Sequence, residues 1–131
     1  MPIWAVIVLG IGCTQSPAEL IVGTWQFDHL SIKEGAAYSA ADSVNLAQKN
    51  DIIKESGLKF IFSADKSCTV SGKGNEEMGT YALTEDKNLQ IDLAKDEPQK
   101  ATIESITMGE IVLAFDNPSL SKELVHLKKV D

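Results

Sequence analysis

No arginine occurs anywhere in the 131 residues; all twelve cationic side chains are lysines. Bidentate recognition of carboxylate or phosphate is the task of arginine's planar fork, so functions built on it are disfavoured from the outset. Positive charge is scarce altogether. The formal net charge is −7, and neutralising a nucleic-acid backbone needs a basic face that this chain lacks. Two cysteines allow at most one disulfide, Cys13 with Cys68. Two histidines without a cysteine pair fall short of the three or four ligands of a zinc site. The one extended apolar run, Ile3–Gly12, is much shorter than the roughly 20 residues that span a bilayer. What remains is an acidic chain of one-domain length, long enough for a single core.

That short run is still informative. It ends at Cys13, and the polar stretch Thr14-Gln15-Ser16-Pro17 follows at once. A hydrophobic segment of this length, closed by small residues and a cysteine, resembles a bacterial lipoprotein signal peptide. The resemblance implies that residues 1–12 are a leader and that Cys13 becomes a lipidated membrane anchor. It also implies residence in the bacterial cell envelope, on the periplasmic or outer-membrane side. A buried N-terminal strand with an ordinary core cysteine is the alternative. If Cys13 is lipidated, Cys68 has no partner and reads as a small buried hydrophobe. Residues 13–22 then form a short tether, in which Ser16, Pro17 and Glu19 carry the signature of a capping box and one helical turn. Residues 23–131 form the domain.

From Gly23 the hydrophobic period is two: Trp25, Phe27 and His29 alternate with Thr24, Gln26 and Asp28, as in a strand with one buried face. An Ala-rich stretch follows, with Tyr38, Ala41, Val44, Gln48 and Ile52 at helical spacing and Gly57 as its stop. It predicts the one sizeable helix, over residues 36–56. The chain beyond Gly57 reads as short strands and tight turns at a spacing of roughly 8–12 residues. Among the turns are 64–67, Gly74-Asn75-Glu76-Glu77, and those before Leu89, Ala101, Ile111 and Glu123. The expected fold is all-β: an up-and-down antiparallel barrel of about eight strands, with one helix between strands one and two. Closure into a barrel removes exposed sheet edges.

At Gly23-Thr24-Trp25 the chain matches the G-x-W opening of the first strand in lipocalins and fatty-acid-binding proteins. The phrase from Leu58 to Val70 looks like the first hairpin of bacterial lipocalin-like lipoproteins, and Gly79–Leu83 with Asn88–Ile91 is similar to their next one. The resemblance implies a non-catalytic binding barrel and extends from Gly23 to the C-terminus. Lipocalins commonly stack an arginine over the motif tryptophan. Here Lys128 or Lys129, on the last strand, is the substitute, expected within about 6 Å of the Trp25 ring. Fatty-acid-binding proteins hold a carboxylate with arginine and tyrosine near their last strands and have two more strands. Fatty-acid binding is therefore not carried over.

Other candidate chemistry is thin. Closure would bring His29 and His126 into neighbouring positions, but with no third ligand a metal site is not expected. Glu76-Glu77, Glu85-Asp86 and Asp96-Glu97 read as solvated turns, and Gly72-Lys73-Gly74 as a hairpin end lacking the pattern of a phosphate loop. No serine has an evident His–acid partner, so no enzyme, cofactor or metal is expected. The expected inward set is Trp25, Phe27, Phe60, Phe62, Val70, Tyr81, Leu83, Ile91, Ile103, Leu113, Phe115 and Leu127. Within it, Phe27, Phe60, Phe62, Tyr81 and Phe115 are the candidate ligand-binding residues for a small apolar molecule in the barrel mouth. The competing expectation is a structural or protein-interaction module with a fully packed barrel. A dry pocket of about 300 Å³ or more favours binding; a solid core beside an apolar patch beyond ~400 Å² favours the module.

Overall fold

The structure, a computed structural model, describes residues 16–33, 35, 37–85, 87–94, 97–116 and 122–130. Residues 1–15, with the proposed leader and Cys13, lie outside the described residues. Eight antiparallel strands close into one barrel in chain order. They are β1 (Gly23–Ile32), β2 (Lys59–Phe62), β3 (Ser67–Gly72), β4 (Asn75–Thr84), β5 (Asn88–Leu93), β6 (Gln99–Ile106), β7 (Glu110–Phe115) and β8 (Glu123–Lys129). β8 returns to pair antiparallel with β1 and closes the sheet. A single turn, α1 (Pro17–Leu20), precedes the barrel, and α2 (Ala40–Ser56) lies between β1 and β2. The all-β architecture with one intervening helix is the one the hydrophobic periods predict.

One end of the barrel is sealed around Trp25. Ser16 and Glu19 form the reciprocal capping box of α1, and the turn delivers Ile21 into the barrel end, where it is fully buried. The Ile21 carbonyl accepts a 2.7 Å hydrogen bond from Trp25 Nε1, so the buried indole N–H is satisfied. Trp25 pairs with Lys129 across the closure. The Lys129 ammonium stands 5.3 Å from the ring centroid and donates to the Val22 carbonyl at 3.0 Å. Lys129 thus fills the place of the missing arginine, while Lys128 is largely exposed. Phe62 and Tyr81 pack edge to face at 4.9 Å beside this plug. Cys68 is buried there too, and burial pushes its thiol up to about 11.

Two local details depart from the expected pattern. The strict alternation of β1 fails after Phe27: Phe27 pairs with Leu127 and His29 with His126, so Asp28 is an extra, bulged residue. The bulge reverses facing, placing Leu30 in the core and His29 on the outside. The β3–β4 connection is only Lys73-Gly74, with φ of 53° and 77° and Gly72 paired to Asn75. This is the two-residue geometry that positive φ at both positions produces. Asn75–Glu77 therefore belongs to β4 and not to a turn.

The helix also presents a different face. Ser39 and Asp42 form a second capping box that starts α2 at Ala40, and Gly57 ends it with φ 67°. Its half-buried positions are Asp42, Leu46, Lys49, Asn50, Ile53 and Ser56, whereas Ala41, Val44, Gln48 and Ile52 are exposed. Apolar periodicity misleads here because the helix docks largely through polar groups. β2 pairs with β1 only as far as Gln26, so the upper half of β1 has an open side. Asn50 Oδ1 accepts the Leu30 N–H there at 2.6 Å. Lys49 Nζ reaches the buried Glu123 carboxylate at 2.7 Å, and the Tyr38 hydroxyl donates to the same group at 3.2 Å.

Of the expected inward residues, all but Val70, Leu83 and Phe115 are buried, and those three pack against the core. Residues the pattern did not mark, including Ile21, Leu30, Leu89, Ile111 and Val125, complete it.

Two outcomes follow from this packing. A methyl group at Gly79 would run into the Asp92 carbonyl of the neighbouring strand. Gly79→Ala should therefore lower unfolding free energy by about 3 kcal/mol in urea titrations, at the upper end for an overpacked site. At the helix anchor, truncating Lys49 strands a buried carboxylate, whereas neutralising Glu123 frees a lysine that can turn to water. Lys49→Ala is expected to cost about 2 kcal/mol and Glu123→Gln less than about 1 kcal/mol, the ion pair itself being half open to solvent. Equal costs in the same titration would contradict the asymmetry.

Candidate functional site: the barrel mouth

The end opposite Trp25 is hollow. α2 borders it through Ile53. A cavity of about 200 Å³ remains, lined by nine apolar residues and Gln99. Phe27 from β1, Phe60 from β2, Val70 from β3 and Phe115 from β7 form its walls, with Ile53 and Leu58 at the α2 side. Such a surface gives water almost nothing to bond to, and apolar cavities of about 150 Å³ stay dry and admit a benzene-sized guest.

The five candidate aromatic residues divide between the two ends. Phe27, Phe60 and Phe115 line the cavity. Phe62 and Tyr81 do not: they belong to the sealed end, where the Tyr81 hydroxyl donates to the Ser63 carbonyl at 2.8 Å. The division follows from register. Phe62 pairs with Cys68 and Gly23, one inward step farther from the hollow than Phe60, on which it stacks at 6.0 Å. Sequence alternation identifies the inward face but not the height along the barrel. Ile53, Leu58 and Gln99 were not singled out, since two lie outside any strand and the third is polar. Gln99 pairs with Ile91, which is buried, and that pairing puts it on the inner face.

At about 200 Å³ the cavity is smaller than the 300–1,000 Å³ of sites for drug-sized ligands. The barrel is neither solid nor capacious. Its exposed large apolar residues, Ile32, Val44, Ile52, Met78, Met108 and Val130, are dispersed over α2, β4 and the strand ends. Exposed residues of this kind are ordinary for a protein surface. A broader concavity of about 850 Å³ on the outer flank is lined by Lys33, Gln90, Lys100, Glu104 and Asp116, among others. Charged groups on an open surface keep it solvated.

The outer face of the closure carries a polar cluster. The His29 and His126 rings stack with centroids 4.1 Å apart and 13° between planes. Parallel rings aim their nitrogen lone pairs side by side and not at a common point. Among the described residues no group of three or more His, Cys, Asp or Glu side chains could hold a metal ion. Because of the bulge, Asp28 shares a face with His29 and bonds its Nδ1 at 2.8 Å. Partial burial opposes ionisation of Asp28, but the His29 hydrogen bond and the nearby Lys128 and Lys54 prevail and hold its carboxyl below the usual range.

His126 Nε2 lies 2.7 Å from Ser31 Oγ, and its Nδ1 lies 3.3 Å from Glu110 Oε2. This is the order of nucleophile, base and orienting acid, and sequence reasoning missed it. The three residues come from β1, β8 and β7, and the Asp28 bulge sets Ser31 on the outer face, so no linear motif announces them. A catalytic serine also needs donors for an oxyanion. Here the flanking Leu30 N–H is committed to Asn50 and the Lys33 N–H to the Lys122 carbonyl at 2.8 Å. The cluster lies outside the barrel, on the opposite face of the sheet from the cavity. Its contacts join β1, β7 and β8.

Comparisons with known proteins agree with this geometry. The lipocalin-like domain family matches residues 21–113. No curated protein matches significantly. Among solved structures, the crystal structure of a DUF4847 family protein from Bacteroides vulgatus is similar to this chain, with a TM-score of 0.56 at 16% identity. The similarity covers 86% of this chain and 96% of that one. At such identity the likeness is one of fold alone. The family match spans most of the chain, including the Trp25 plug, α2 and much of the cavity wall, and the chain belongs to the lipocalin-like domain family.

Proposed function

We propose that the protein is a non-catalytic binding barrel that takes up a small apolar molecule in its mouth, beneath α2. The observation that carries this reading is the hollow of about 200 Å³ with a single polar residue in its lining. A protein interior ordinarily packs to crystal-like density, and an apolar hollow at the barrel mouth leaves its lining without those contacts unless something fills it. The volume admits one ring or a short branched chain. A long acyl chain would not fit without displacing α2. Phe27, Phe60 and Phe115 supply flat walls for a ring, and Ile53 supplies an edge that can move with the helix.

We also propose that the barrel is held at a bacterial envelope membrane by lipid on Cys13. The apolar run ending at that residue supports this, together with the short distance from Cys13 to Ile21, the first residue of the plug. The tether leaves the barrel close to the membrane surface, where apolar molecules concentrate. Mass spectrometry of protein purified from membranes should find residues 1–12 removed and Cys13 acylated. An unmodified chain beginning at Met1 would contradict the anchor.

Binding is tested by NMR titration with toluene. Saturable shifts are expected at Phe27, Phe60, Val70 and Phe115, with Trp25 and Tyr81 unmoved. Val70→Phe should fill the hollow and abolish those shifts while the protein remains folded. Shifts confined to the outer surface, or unaffected by Val70→Phe, would count against the mouth as the site.

A further inference from the structure

We infer that Ser31 is a nucleophile that takes an acyl group from an activated ester, with His126 as its general base. The site lies on the outer face of the sheet, and the inference goes beyond the binding proposed for the mouth. It starts from one chain of donors and acceptors. Glu110 Oε2 lies 3.3 Å from His126 Nδ1, and Ser31 Oγ lies 2.7 Å from His126 Nε2. A carboxylate can only accept, so in the neutral ring the proton sits on Nδ1 and Nε2 is bare. The bare nitrogen accepts from the Ser31 hydroxyl. A general base needs this protonation pattern, and the nucleophile is already within its reach.

The imidazole is also held in place. His29 stacks on one face of it at 4.1 Å, and Asp28 holds the His29 ring in turn at 2.8 Å. The His126 side chain is 16% exposed and Ser31 is half-buried. The pair is therefore partly shielded from water yet accessible to a small reagent.

Register sets the pair beside the broad outer concavity. Ser31 pairs with Leu124 across the closure, and directly opposed residues share a face. Leu124 lines the concavity of about 850 Å³, together with Ala114 on β7 and Lys33. Lys33 stands two residues beyond Ser31, and its N–H extends the ladder to the Lys122 carbonyl, which keeps both side chains on one side of the sheet. The flanking backbone N–H groups are committed, and the Lys33 ammonium brings a cation to the same concavity for a developing oxyanion.

In the step itself, His126 Nε2 takes the hydroxyl proton as Ser31 Oγ bonds to the ester carbonyl carbon. The tetrahedral intermediate collapses, the bond from that carbon to the leaving oxygen breaks, and an aryl oxide departs with the electron pair. His126 then passes its proton to the aryl oxide or to water, and the product is an ester on Ser31. Hydrolysis of that ester must expel an alkoxide, a much poorer leaving group, so the acyl group stays. Ser31 is thus a site of modification and not of turnover.

The test uses the full chain and p-nitrophenyl acetate. Intact-mass spectrometry with peptide mapping should find an acetyl group on Ser31 ahead of any on the lysines, with one equivalent of p-nitrophenolate released in the same phase. His126→Gln should slow acetylation of Ser31 about 100-fold or more, and Ser31→Ala should abolish the rapid release. Nitrogen NMR of the unmodified wild-type protein gives a second reading that needs no variant: the neutral His126 ring should carry its proton on Nδ1. A ring protonated on Nε2, acetylation confined to lysines, or an unchanged Ser31 rate in folded His126→Gln would overturn the inference. Toluene titration of the mouth, on the other face of the sheet, reports on the binding function separately.

Discussion

Closure of β8 onto β1 is the constraint on which everything else in this molecule depends. It is made where Trp25 meets Lys129, and it needs three things at once: a buried indole, a donor satisfied by the Ile21 carbonyl, and a cation over the ring. Truncating a buried tryptophan typically costs about 3–5 kcal/mol, a large part of the stability of a small domain. The Asp28 bulge then lets the two strands continue in register beyond the plug while turning His29 outward. Without that extra residue Leu30 would face water, and His29 would face the core.

A plug at one end permits a hollow at the other. The sealed end holds Ile21, Trp25, Phe62, Cys68 and Tyr81 in close packing, enough to define the fold. The mouth is then free to be under-filled. The short β2 leaves half of β1 without a strand neighbour, and α2 occupies that side through Asn50, Lys49 and Glu123. These are directional polar contacts with modest net strength, so the helix is placed accurately but held less tightly than the barrel. An element of that kind suits the rim of a binding site.

The architecture was legible because each strand buries one face and the turns carry their own chemistry. Gly23-Thr24-Trp25, the capping residues Ser16 and Glu19, and the stop at Gly57 each specify a local geometry that the structure contains. Three things were not legible, for physical reasons. The facing of Leu30 and His29 depends on a bulge, and nothing local at Asp28 distinguishes a bulged residue from an ordinary one. The docked face of α2 is polar, so the apolar stripe through Val44 and Ile52 pointed to the wrong side. The site itself depends on height along the barrel, which register sets between strands; alternation could group Phe62 with Phe60 but could not tell that Phe60 borders the hollow and Phe62, stacked on it at 6.0 Å, does not. Gln99 was invisible for the same reason, and so was the contact of Ser31 with His126.

The central claim is that the mouth is a dry apolar hollow and not a packed core. A crystal pressurised with xenon tests it most directly, because xenon enters empty apolar cavities without needing any hydrogen bond. The account predicts one strong xenon peak between Phe27, Phe60 and Phe115, under Ile53, and none near Trp25. Side chains collapsed into that space, or an ordered water chain leading inward from Gln99 with no xenon bound, would contradict it.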